Sequence, residues 1–168
     1  MACFRQGAAV WAVLWLTACG FQPLYGDHAL STTAAVRESF NTIMIANIPD
    51  QSGQYLKNAL MDRLYSAGRA DAHARYRLTV SPVNESRREL DITKTSDSTR
   101  AQLSLSTVMT LSDAGGGELL SRSLGATTSY NILDSQFTTR VAEDSARRQA
   151  LDDLARQIES HLLLYFNR

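Results

Sequence analysis

Between Ala101 and Ser112 the chain alternates. Leu103, Leu105, Thr107, Met109 and Leu111 share one parity, and Gln102, Ser104, Ser106 and Thr110 the other, with only Val108 out of step. A period of two predicts a strand with one buried and one solvated face. Asp113-Ala-Gly-Gly-Gly117 then reads as a hairpin turn. The returning strand, Glu118 to Ile132, keeps Leu120, Leu124, Ala126, Thr128, Tyr130 and Ile132 on one parity, with Gly125 allowing a bend or bulge. Upstream, Arg75 to Val80 places Tyr76, Leu78 and Val80 on one face and Arg75, Arg77 and Thr79 on the other. Pro82 removes a ladder donor, so a bulge or edge position is expected there, with the strand resuming through Leu90 to Ile92. Phe40 to Ile48 is a compact β-rich run ended by Pro49-Asp50.

Two stretches change to a three- and four-residue period. From Gln51 to Ala67, Leu56, Ala59, Leu60 and Leu64 fall on one helix face, with Asp50 or Ser52 to cap the start and Gly68 to stop it. From Gln136 to Phe166, Phe137, Val141, Leu151, Leu154, Ile158, Leu162 and Tyr165 mark a stripe, and Asp134 or Ser135 is the expected cap. The order is β-α-β-β-β-α, with about four strands. Two singly striped helices cover one face of a half-polar sheet, so the predicted fold is an α+β two-layer sandwich with both helices packed on one face. The pattern leaves open where the first strand joins the sheet.

The first 18 residues do not belong to that domain. Arg5 precedes an uncharged run from Ala8 to Ala18. As a helix this run is ~17 Å long against a hydrocarbon core of ~30 Å, which suits a secretory h-region and not a membrane span. Leu16-Thr17-Ala18-Cys19 then fits a bacterial lipobox: a long apolar residue, two small ones, and the Cys whose thiol takes the diacylglyceryl group before cleavage. Residues 1–18 are thus expected to be a lipoprotein signal peptide, 19–39 a lipidated N-terminus and polar tether, and 40–168 a single domain. Gly20 follows Cys19, as in lipoproteins released to the outer membrane. Lipidation at Cys19 attaches the chain to a membrane without any membrane-binding face on the domain.

Composition narrows the class. The 168 residues carry 17 Lys+Arg and 17 Asp+Glu, so the chain lacks the basic surplus of a general nucleic-acid binder. Loss of the signal removes Cys3 and both tryptophans, and lipidation consumes Cys19, so no thiol remains for catalysis, a metal or a disulfide. His28, His73 and His161 have no partner spacing. Neither a hydrolase elbow nor a phosphate loop nor a metal-spaced cluster occurs. No catalytic residue, metal site or cofactor is therefore assigned, and a non-enzymatic role is expected. Charge is uneven, however. Six arginines face two acids between Arg63 and Arg88, a local net of +4. Arg87, Arg88, Lys94 and Arg100 surround the connection before the long strand and are the candidate contacts for an anionic ligand. Glu85, Glu89, Asp91 and Asp97 are interleaved there, as in a solvated charged surface.

The segment Cys19-Gly20-Phe21-Gln22-Pro23-Leu24-Tyr25-Gly26 resembles the opening of the LPS-assembly lipoprotein family, LptE, and the element order and mature length are similar to that family as well. The resemblance implies a lipid-anchored outer-membrane protein, facing the periplasm, that plugs and helps assemble the LptD β-barrel of the lipopolysaccharide translocon. The implied partners are that barrel, lipopolysaccharide, and the membrane through the anchor, with no nucleic acid. A polar barrel lumen complements a polar, charge-balanced domain surface. Two other readings fit the anchor: an accessory lipoprotein of another envelope lipid transporter, and a lipid-anchored periplasmic hydrolase. The resemblance supplies no residue-level motif for a lipopolysaccharide contact, so Arg87, Arg88, Lys94 and Arg100 rest on sign and position alone.

Overall fold

The computed structural model describes residues 38–65, 70–71, 73–90, 100–133 and 135–167. The signal segment, Cys19, the tether to residue 37, Gly68 and Lys94 lie outside the described residues. The elements are β1 (Ile43–Ile45), α1 (Asp50–Leu64), β2 (Tyr76–Val80), β3 (Asn84–Leu90), β4 (Arg100–Asp113), β5 (Glu118–Asn131) and α2 (Gln136–Phe166). Both helices lie over one face of a mixed five-stranded sheet, the α+β sandwich that the alternation predicts.

β4 is the centre of this sheet. One of its edges pairs antiparallel with β5 along its whole length, while the other is shared by β2 and β3 end to end. Val80 lies opposite Met109 and Asn84 opposite Ser106, so three residues, 81–83, face two, 107 and 108. That is a one-residue bulge on the β2–β3 line, where Pro82 predicts one. Thr107 pins it by donating its Oγ1–H to the Ser81 carbonyl at 2.7 Å, and the Ser81 N–H bonds the Val108 carbonyl at 2.9 Å. Beyond the bulge lies a full strand, β3, which begins at Asn84, well before the expected resumption at Leu90; residues 91 and 92 lie outside the described residues. This is why the sheet has five strands where the pattern shows about four.

Gly125 forms no bulge. It pairs in register with Ser106, and the shift in the β4–β5 ladder falls instead at Leu111/Ser112, beside the hairpin turn. A glycine permits a bulge but does not require one.

β1 is shorter than the apolar run around it and pairs parallel to β2 at the sheet edge, which settles where it joins. Its outer edge is closed by a side chain. The Tyr65 hydroxyl donates to the Ile43 carbonyl at 2.8 Å and accepts from the Ile45 N–H at 3.3 Å, replacing the rungs of a missing neighbour. α1 opens without the expected side-chain cap. Pro49 is the N-cap, and Asp50 sits in the left-handed region at φ 68.

The core lies between sheet and helices. Ile43, Leu78, Leu103, Leu105, Met109 and Leu111 meet Leu56, Leu60, Leu151, Leu154 and Ile158, all fully buried. Each such side chain contributes roughly 1.5–3 kcal/mol of burial. Tyr55 bonds Asp152 at 3.3 Å and Arg63 pairs with Glu159 at 3.1 Å, so the helices run parallel. α1 spans about 22 Å and α2 about 46 Å at helical rise, so the first turns of α2 extend past the start of α1. There the predicted stripe fails. Phe137 is 76% exposed and Val141 53%, because no described element packs on that side of α2. The buried stripe begins at Ala146 and runs through Ala150, Leu154 and Ile158 to Leu162. Small residues at 146, 150 and 155 let α2 sit close to the sheet and to α1. Ser135 is the α2 N-cap, again without a side-chain bond. Thr139 Oγ1 instead donates to the Leu133 carbonyl and accepts its N–H.

Two outcomes follow. At Gly53 a Cβ would stand 2.7 Å from Ile48 Cγ2 and 3.0 Å from the Ile48 backbone. Gly53→Ala should therefore destabilise by about 1–2 kcal/mol in urea unfolding, despite alanine's better helix propensity. Burial holds the Tyr65 phenol above its ordinary range. The folded state then keeps the proton longer than the unfolded chain, so this contribution is present below pH ~10 and is lost as pH rises through the raised value. Tyr65→Phe should cost about 1–2 kcal/mol at neutral pH and reduce the alkaline loss of stability, as read from urea midpoints across pH.

Candidate functional site

Two surfaces carry chemistry. The first is the sheet face that no described helix covers. β4 presents Gln102, Ser104, Ser106, Val108, Thr110 and Ser112 there, and β5 presents Ser121, Ser123, Thr127 and Ser129 beside them. Hydroxyls meet across the strands: Ser104 with Thr127 at 3.2 Å and Thr110 with Ser121 at 3.4 Å. The face is broad, uncharged over its centre, and able both to donate and to accept.

The second surface is made by the bulge. One extra residue reverses the parity of β3 relative to β2. Glu85, Arg87 and Glu89 lie opposite Leu105, Leu103 and Ala101, on the helix side of the sheet. Glu85 and Arg87 meet Arg147 and Glu143, in the stretch of α2 that ends about level with the start of α1. Arg147 grips Glu85 with a fork, Nε to Oε2 and Nη2 to Oε1, both 2.9 Å. It also reaches Glu143 at 2.9 Å and Asp144 at 2.6 Å. Arg87 pairs with Glu143 at 3.5 Å and Glu89 at 3.1 Å, with its guanidinium 5.8 Å from the centre of the Tyr130 ring. Tyr130 donates to Glu143 at 3.3 Å. The fork to Glu85 is the main reason the Arg147 guanidinium is held even more firmly in its charged form. Burial first, and then the Glu143 charge, raises the Tyr130 phenol above its ordinary range.

The three described candidate cations, Arg87, Arg88 and Arg100, do not share one face of the sheet. Arg87 is on the helix side, engaged with two carboxylates. Arg88, opposite Gln102, is exposed on the open face, and Arg100, opposite Leu90 and Asn131, shares that parity. Lys94 lies outside the described residues. Arg147 was not among the four. Its i,i+4 spacing from Glu143 is visible in sequence, but its pairing with Glu85, 62 residues away, depends on the bulge.

Among the described residues, no group of three His, Cys, Asp or Glu side chains is placed to hold a metal, and no helix is long and apolar enough to cross a membrane. A groove at the start of α1, lined by Gln51, Tyr55, Asp144, Arg147 and Arg148, holds about 190 Å³. That is smaller than an ordinary small-molecule site. The described residues thus present two polar surfaces, a hydroxyl face and a charged clasp.

The family model described as "LptE: Lipopolysaccharide-assembly" matches residues 40–162, and the chain belongs to that family. It is accordingly an outer-membrane, lipid-anchored lipoprotein with an assembly role, and not an enzyme. Solved structures share the fold. A putative lipoprotein from Caulobacter crescentus is 23% identical with a TM-score of 0.62, covering 79% of this chain and 96% of its own. A minor lipoprotein from Acinetobacter baumannii is 24% identical with a TM-score of 0.54, over 73% and 88%. Lipoprotein B from Nitrosomonas europaea is 18% identical with a TM-score of 0.53, over 69% and 76%. No curated protein matches the chain.

The clasp makes a measurable claim. In a double-mutant cycle of Glu85→Gln and Arg147→Gln, unfolding should return a coupling of about 1 kcal/mol, reduced in high salt, since both groups are partly exposed.

Proposed function

We propose that this protein plugs and helps assemble an LptD-like outer-membrane barrel, and that the pair delivers lipopolysaccharide to the outer leaflet. Signal cleavage after residue 18, lipidation at Cys19 and a tether to residue 39 would hold the domain at the inner surface of that membrane. The observation that carries this reading is the uncovered hydroxyl face of β4 and β5. A barrel lumen is lined with polar groups, and a surface of paired hydroxyls exchanges hydrogen bonds with it at little desolvation cost. Family membership sets the context, because the matched model is one of lipopolysaccharide assembly.

Lipopolysaccharide itself offers phosphates and acyl chains. Arg87, Arg88, Lys94 and Arg100 remain the proposed phosphate contacts, and the sheet divides the three described ones into two sets. Arg87 lines an open depression of about 460 Å³ with Arg140, Leu133 and Ile132, which joins cations to apolar surface. Arg88 and Arg100 belong to the hydroxyl face.

Co-purification after mild detergent extraction is the decisive experiment. Wild-type protein should bring down a large β-barrel; recovery of an ABC-type complex in its place would favour an accessory role in another lipid transporter. Ser106→Trp with Thr127→Trp, which leaves the core untouched, should reduce barrel recovery by roughly tenfold or more by blocking the hydroxyl face. For the phosphate contacts, neutral replacement of Arg88 and Arg100 should weaken lipopolysaccharide binding in a salt-dependent way. Unchanged binding after all four cations are neutralised would remove them from the reading.

A further inference from the structure

We infer that β3 is a releasable edge strand, hinged at residues 82 and 83 just beyond the pinned Ser81, and latched to α2 by the Glu85–Arg147 fork. Its neighbours along the same edge of β4 differ sharply. β2 is fixed by Leu78 and Val80, both buried, whereas β3 buries no side chain and only Leu90 is half-covered. On its helix side, where an apolar residue would seat against Leu103 and Leu105, it carries Glu85, Arg87 and Glu89. Its backbone ladder to β4 is complete over seven residues, so hydrogen bonds hold it in line. Cross-strand packing, the usual unit of sheet stabilisation, adds little beneath it. What binds it to the second layer is ionic: Arg147 to Glu85 and Arg87 to Glu143.

The hinge is built into the sequence. Pro82 has no N–H, and the 81–83 bulge breaks the ladder between the two strands, so opening β3 does not require unzipping β2. The Thr107–Ser81 bond lies on the β2 side of the break and would hold when β3 leaves. Release would expose one edge of β4 from Arg100 to Ser106 while β5 keeps the other edge paired. The strand thus forms a local unit whose opening free energy lies below that of the whole domain.

Native-state hydrogen exchange of the full mature chain tests this. Amides of 84–90, and those of 100–106 that face β3, should exchange at least roughly tenfold faster than those of 76–80 and 109–113. Raised salt should speed the β3 set further and leave the β2 set unchanged. Arg147→Gln should speed the β3 set about fivefold, and Glu85→Val with Arg147→Met, an apolar pair in place of the fork, should slow it. If β3 and β2 amides exchange at one rate in the wild type, the strand is not a separate unit and the inference fails. If salt and both variants leave β3 exchange unchanged, the ionic latch fails. The wild-type salt series needs no variant and stands even where a substitution prevents folding.

Discussion

Thr107 is the one buried described residue that is neither apolar nor aromatic, and its hydroxyl bonds the Ser81 carbonyl at the point where three residues face two. Much of the architecture depends on this bulge. Side chains alternate with a period of two, so a single inserted residue sends every later side chain to the opposite face. Upstream of it, Leu78 and Val80 look into the core. Downstream, Glu85, Arg87 and Glu89 take the same side. The core ends along this edge, and an ionic clasp takes its place.

The result is a domain of two unequal halves. In one, β1 and β2 join β4 and β5 beneath two parallel helices, with Tyr65 closing the outer edge of β1. Phe40, Tyr76, Tyr165 and Phe166 pack edge to face at its end, with ring centroids 5.1–6.1 Å apart. In the other half, β3, the start of β4 and the end of β5 lie under α2 alone. Ala101, Leu103 and Leu105 of β4 stay buried there, but along β3 apolar packing gives way to Glu85 and Arg87 paired with Arg147 and Glu143, while Phe137 and Val141 are exposed. Tight packing and ionic attachment are thus separated along the length of one sheet.

Across the sheet from both helices, nothing described covers the hydroxyl face, and this asymmetry suits a domain that acts by fitting against other molecules. Here the polar groups are spread over a surface, paired with one another, and backed by a rigid apolar layer. Family membership supplies the assembly role, and the described surface chemistry is that of a broad polar face and an ionic clasp.

Much of the fold was legible in the sequence because its signals are local. Alternation in β4 and β5, the Gly-rich turn between them and the limits of α2 follow from side-chain periods that need no distant partner. The α1 face at Leu56, Leu60 and Leu64 was equally plain, and so was the break at Pro82. What lay beyond that break was not. A bulge is announced by a proline, but the count of residues it adds, and hence the face that Arg87 takes, depends on the register with β4. For the same reason the four candidate cations read as one basic cluster, although Arg87 and Arg88 lie on opposite faces. The exposure of Phe137 and Val141 was hidden too, since an apolar stripe is buried only where something packs on it and α1 is too short to reach them. The sequence by itself determined both helices, the strands other than β3 and the amphipathic faces of β2, β4, β5 and α1, all set by chemistry within a few residues. Tertiary structure decided register, helix overlap and charge pairing, because each depends on groups brought together from tens of residues apart.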